Sequence, residues 1–347
     1  MSSRRASKIL LAVVSGGVLV GGRLLSAEPA GSPFFEALDR EVHALFEKCR
    51  DAVVKVEATD DHGPLSGTGF FIDPNGTLYT CYSVGGESRD IRVQFKGGSY
   101  PATRLVADSR SGVALLKIDA ETPFLASAAS HGLSVASPVM TIGYPMGLPP
   151  TPSFGIVGGF SLKYLGRYFA TTHIRANVAV QRGEGGAPLL NMKGEVAGIL
   201  ISSLDRGSAS FVLPIEAAEK VRRDFIRFRE LRPGYIGIQI GEGKAPVNGS
   251  TALVQDLVPG APGAKAGIKP GDVLLRVAER RITCPEDVLD ACYYLTAEDD
   301  LTIAVARDGQ ELEIAVQAAD HPNSGRPSTN ALGSMGDARP PAIGSQQ

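Results

Sequence analysis

Three glycines within four residues, Gly183, Gly185 and Gly186, followed by Ala187, Pro188 and an apolar run, form the stretch best suited to chemistry. Without side chains to obstruct it, such a segment makes a tight turn whose N–H groups point into a cleft, where they can hold a developing oxyanion. Glu184 sets a negative charge beside those amides. Acyl-transfer chemistry also needs a hydroxyl or thiol nucleophile, an imidazole to take its proton and a carboxylate to orient the imidazole. The five histidines are His43, His62, His131, His173 and His321, and only His173 is near this loop in sequence. A lone histidine ahead of a strand reads first as a structural residue. Ser83 beside Cys81 and Tyr82 offers a hydroxyl and a thiol, with no neighbouring base to activate either.

Positioning such a loop takes many short strands. Residues 52–58, 67–73, 78–80, 91–95, 113–118 and 139–143 read as β-type runs, separated by turns such as Pro74-Asn75-Gly76 and Lys96-Gly97-Gly98. Residues 155–159, 196–202 and 211–215 continue the pattern, which indicates an all-β sandwich or barrel. An amphipathic helix is expected at 33–48, with Phe34, Phe35, Leu38, Val42, Leu45 and Phe46 on one face. A second is expected at 216–230, with Ala217, Val221, Phe225 and Ile226 as its inner stripe, closed by Arg232-Pro233-Gly234. That breaker marks a domain boundary. Short strands resume beyond it, with a helix near 285–295.

The loop at 183–189 resembles the nucleophile loop of trypsin-like serine proteases of the HtrA (DegP-like) family, whose pattern is G-N-S-G-G-P-L. On that resemblance Gly185 stands at the nucleophilic serine. The segment 78–84, Leu-Tyr-Thr-Cys-Tyr-Ser-Val, resembles the family's histidine segment L-T-N-N-H-V-V and puts Ser83 at the base. The segment 112–118 resembles D-L-A-V-L-K-I and puts Gly112 at the carboxylate. The resemblance covers about 34–318 and implies a mainly β fold: a chymotrypsin-like double six-stranded β-barrel, its halves meeting near Ser130, followed by an α+β PDZ domain. It implies serine endopeptidase ancestry with all three triad positions substituted. An active endopeptidase with relocated residues is the alternative. It further implies an oxyanion loop of Gly183, Glu184 and Gly185. The PDZ carboxylate loop would be Tyr235-Ile236-Gly237-Ile238, with Val288 and Cys292 facing the groove from the helix. The expected partners are peptides or unfolded-protein C-termini, with a homotrimer joined by the N-terminal aromatic segment, or co-assembly with active homologues, as further implications.

The expected boundaries are a signal peptide or membrane anchor at 1–27, the amphipathic helix at 28–50, the double barrel at 51–230, the PDZ domain at 231–318 and a disordered tail at 319–347. Arg4, Arg5 and Lys8, then an apolar run at 9–20 and Leu25-Ser26-Ala27, read as a secretory signal, with periplasm or cell envelope as the destination. A net charge of −2 over 347 residues gives no electrostatic reason to expect nucleic acid. No nucleotide-cofactor fingerprint and no C-x-x-C zinc spacing occur, so neither cofactor nor metal is expected. Export makes Cys49, Cys81, Cys284 and Cys292 disulfide candidates. Cys284 and Cys292 are too far apart across a helix to bridge. Cys49 and Cys81 are compatible with a bridge or with two buried thiols.

Overall fold

The computed structural model describes residues 33–128, 130–164, 167–204 and 209–322. The expected signal at 1–27 and most of the expected tail lie outside them. The chain divides into two compact units, residues 1–41 and 42–347. Helix α1 (Pro33–Cys49) begins in the first and ends in the second, where Leu45 and Cys49 are buried.

Seven strands form the first sheet: β1 (Val53–Asp60), β2 (Gly63–Phe71), β3 (Thr77–Cys81), β4 (Arg89–Phe95), β5 (Gly98–Pro101), β6 (Thr103–Asp108) and β7 (Val113–Lys117). Their order is β5-β4-β1-β2-β3-β7-β6, one strand more than the six expected. The extra strand comes from Gly98–Pro101, a hairpin return that its Lys96-Gly97 turn folds back on β4. Strand β1 alternates as its sequence directs: Val54, Val56 and Ala58 turn inward while Lys55 and Glu57 pair at 2.7 Å outside. Strand β3, between β2 and β7, is buried throughout, and full burial of Phe70 or Phe71 on the neighbouring β2 contributes roughly 2–3 kcal/mol each. The turn before β3 is fixed by Asp73, whose Oδ1 accepts from the amides of Asn75 and Thr77. Between β3 and β4 stands one helical turn, α2 (Tyr82–Gly85).

The second half is a closed six-stranded barrel, ordered β10-β13-β12-β11-β8-β9. Its strands are β8 (Pro138–Gly143), β9 (Thr151–Tyr164), β10 (Arg167–Asn177), β11 (Pro188–Leu190), β12 (Val196–Leu204) and β13 (Ala209–Pro214). Strand β9 is far longer than the run read at 155–159, because pairing with β10 carries it past Gly158 and Gly159. Helix α3 (Ile215–Phe228) ends at Arg229 in the left-handed region. Its buried face is Ala217, Ala218 and Val221 together with Lys220 and Asp224, whereas Ile226, expected inside, is 59% exposed.

The third body comprises β14 (Gly234–Tyr235), β15 (Ile238–Val247), β16 (Ser250–Leu257), α4 (Pro262–Ala266), β17 (Val273–Val277), β18 (Arg280–Arg281), α5 (Pro285–Tyr293), β19 (Asp300–Arg307), β20 (Gln310–Gln317) and β21 (Ala319–Asp320). Its main sheet runs β15-β16-β17-β19-β20, and β15 is an edge strand. Ala319 and Asp320, expected to belong to a disordered tail, instead pair with Tyr235 and Gly234. All four cysteines are free thiols, which excludes the candidate Cys49–Cys81 bridge. Cys49 lies against the 194 turn of the second barrel, whereas Cys81 ends β3.

Candidate functional site: the loop at 183–186 and the β15 edge beside α5

The residues that sequence reasoning aligned with a triad do come together. Cys81 Sγ lies 3.1 Å from Ser83 Oγ. A Cβ built on Gly185 would stand 3.0 Å from the same sulfur. The Tyr82 amide donates to the Gly112 carbonyl at 2.6 Å, which ties α2 to the turn before β7. Ser83 is exposed, Gly112 is buried and Gly185 is half-buried. None of the three supplies an imidazole or a carboxylate, and the Cys81 thiol between them is 1% exposed. Burial pushes its pKa up, away from the thiolate that nucleophilic attack requires.

Gly183, Glu184 and Gly185 are held by a residue the motif comparison passed over. Thr68, fully buried on β2, donates its amide to the Gly185 carbonyl and its hydroxyl to the Gly183 carbonyl, both at 2.8 Å. Its own carbonyl accepts from Thr80 Oγ1 at 2.7 Å. Gly186 must be glycine: at φ +90°, a Cβ would meet the Thr68 carbonyl at 2.1 Å. Glu184 does not project its charge into the cleft. Only 2% exposed, it folds back so that Oε2 accepts from the Gln181 amide at 2.6 Å, and burial raises its pKa.

His173 is not available to the cleft. It is 3% exposed on β10, stacks on Phe169 at 4.4 Å and shares a 2.7 Å hydrogen bond between Nδ1 and the Thr171 carbonyl. Burial lowers its pKa to about 4, so the ring is neutral at pH 7 and Nδ1 carries the proton that reaches that carbonyl.

In the third body, the loop Tyr235-Ile236-Gly237-Ile238 leads into edge strand β15. The turn at 258–263 backs it: Val258 donates to the Gly237 carbonyl and Gly263 to the Ile236 carbonyl, at 2.9 and 2.8 Å. Gly237 is in the left-handed region at φ +72°, and a Cβ there would meet Ala261 Cβ at 2.2 Å, so the position takes glycine. Ile236 is buried, and Val288 is 2% exposed within the core of this body. Cys292 is half-buried against that core. Leu289, which sequence reasoning did not single out, is 53% exposed. It lies three residues from Cys292 on one helical stripe, a spacing that could have revealed it.

Residues 67–199 match the trypsin-like peptidase domain family, and residues 234–318 match the PDZ domain family. The chain has an HtrA/DegP-like architecture, a trypsin-like domain followed by a PDZ domain. A probable periplasmic DegP-like serine endoprotease of Halomonas elongata is 30% identical over 80% of this chain and 60% of its own length. The putative serine protease HhoB of Synechocystis is 28% identical over 74% of this chain and 67% of its own. This chain thus spans about 60% of the Halomonas relative. Among solved structures, the HtrA-type protease AlgW with a tripeptide superposes with a TM-score of 0.68 at 21% identity, covering 81% of this chain and 97% of that one. The serine endoprotease from Yersinia pestis superposes at 0.58 and 23% identity, over 80% and 97%. At that identity the likeness carries the fold alone.

Proposed function

We propose that this chain is a catalytically silent HtrA-like protein of the bacterial envelope, which binds polypeptide ends in its PDZ groove and acts as a scaffold, chaperone or regulator. One observation carries the reading: the three converging triad positions hold Ser83, Gly112 and Gly185. An acyl-enzyme cannot form without a nucleophile, and removal of a triad costs about 10⁶-fold in the subtilisin example. The buried Cys81 thiol and the neutral, buried His173 offer no replacement pair. The groove beside β15 remains the live feature, with Ile238, Leu289 and Cys292 as apolar contacts and the 235–238 loop for a terminal carboxylate. The relatives' names support a periplasmic setting. Assembly into trimers, or with active homologues, would extend the same role. The competing reading, an active endopeptidase, draws on those relatives being named endoproteases.

Unfolded casein, with a fluorophosphonate probe and an active DegP-like relative as positive control, separates the readings. Silence predicts neither cleavage nor label on this chain. Reproducible cleavage with a labelled side chain would sink the proposal and identify the nucleophile.

A further inference from the structure

Helix α5 serves two bodies at once. Val288 and Ala291 fill the PDZ core, while Leu289 and Cys292 are left on the stripe assigned to the peptide. The remaining face, through Glu286, Asp290 and Tyr294, is turned to β10 of the trypsin-like domain. There Asp290 Oδ1 accepts from the Thr171 hydroxyl and from the Thr172 amide, each at 2.6 Å. Its Oδ2 accepts from Arg280 at 2.7 Å, and that guanidinium lies 3.6 Å over the Tyr294 ring. The Tyr294 hydroxyl is 3.2 Å from Thr171 Oγ1. Thr171 is fully buried and the Asp290 side chain is 13% exposed, so both oxygens of this carboxylate are committed inside a junction with little water. Rim pairs such as Arg227–Asp299, with side chains 47% and 36% exposed, fix little.

We propose that Thr171, a residue of the trypsin-like domain, is a positioning residue for the PDZ peptide site. By holding Asp290 it sets where α5 stands relative to the β15 edge, and thus the width of the groove between Leu289 and that edge. The peptide meets a groove organised in advance by the neighbouring domain, and loss of the hydroxyl lets α5 relax and adds an ordering cost to binding. The inference rests on the groove binding peptide as proposed above.

Fluorescence anisotropy of the full chain with a fluorescein-labelled decapeptide, ending in valine with a free carboxylate, tests it. Thr171→Val, which keeps shape and removes the hydroxyl, is expected to raise Kd about fivefold, the equivalent of one hydrogen bond. Thr171→Ser should bring Kd back to within about twofold of the wild type, which a general packing defect would not do. By linkage, saturating peptide should increase hydrogen-exchange protection of the Thr172 amide in the wild type and less in Thr171→Val. If Thr171→Val does not fold, Thr171→Ala, which removes the hydroxyl that donates to Asp290 Oδ1 and leaves the Thr172 amide in place, carries the same expectation. A Kd unchanged in both variants, or no rescue by serine, overturns the positioning role. No binding by the wild type up to about 1 mM peptide would instead overturn the peptide-binding reading, and this inference with it.

Discussion

Gly112 sits at φ +79°, and a Cβ there would meet Ile201 Cγ2 at 2.6 Å. Restoring an aspartate would therefore face left-handed backbone strain of about 1–3 kcal/mol as well as a stiff β-branched neighbour. Thermal unfolding is expected to show Gly112→Asp as clearly destabilising, and less so when Ile201→Ala is already present. Equal losses in both backgrounds would refute the contact. Glu184 makes a pH-dependent case. Its carboxyl is raised by burial, so the native state holds the proton more readily than the unfolded chain, and that stabilisation is lost as pH rises through the folded pKa. Glu184→Gln keeps an oxygen for the Gln181 amide, so it should raise Tm at neutral pH and gain little below about pH 4. A Tm gain that does not depend on pH would mean that charge is not the reason. The positions proposed for the triad, Ser83, Gly112 and Gly185, come from the sequence, because each falls within a segment that resembles a family motif. Thr68 was not, because a threonine in a strand carries no signal until the loop at 183–185 folds back on it.

On α3, burial of the Lys220–Asp224 pair reverses what the letters suggest. At one-turn spacing the two charges read as solvent-facing, yet they meet at 2.6 Å with both side chains 1% exposed. Asp224 Oδ1 also accepts from Thr296 Oγ1 at 2.7 Å, and Tyr293 lies over the ammonium at 6.0 Å. The PDZ domain covers this face, and burial pulls the lysine pKa down while Asp224 pulls it up. Removing one partner leaves an unpaired buried charge, so Lys220→Met should cost about 3–5 kcal/mol in urea unfolding. Arg227→Ala, at the exposed rim, should cost less than about 1 kcal/mol. Comparable losses would contradict the assigned burial. Helix α3 was legible as a helix. Which face it buried was not, because that depended on a partner domain more than 60 residues further along the chain.

Across the junction of the two domains, His173 couples stability to acid. Its pKa falls from 6.5 to about 4 in the fold, with burial opposing the proton more strongly than the Thr171 carbonyl and Asp290 favour it. Above pH 6.5 both folded and unfolded states are neutral, and the ring contributes nothing to the pH dependence. Between 6.5 and about 4 the unfolded chain takes up a proton that the native state refuses, so stability declines, by roughly 3 kcal/mol in all. His173→Phe should flatten that part of the Tm–pH curve, at the cost of leaving the Thr171 carbonyl unpaired at every pH. An unaltered slope would assign the acid sensitivity to other groups.

Local rules in the chain were enough to determine several things. Period-two alternation produced β1, Asx and glycine turns bounded the strands, and the glycine loop with its two companion segments announced the trypsin-like fold. Each is decided by residues within a few positions of one another. Tertiary structure alone decided the rest. The seventh strand of the first sheet, the free thiols, the inward lysine of α3, the burial of Val288 with exposure of Leu289, and the Thr171–Asp290 contact all depend on which surfaces face each other. Burial is a property of two packed surfaces, and one segment's pattern of apolar and charged letters specifies only its own half of that pairing.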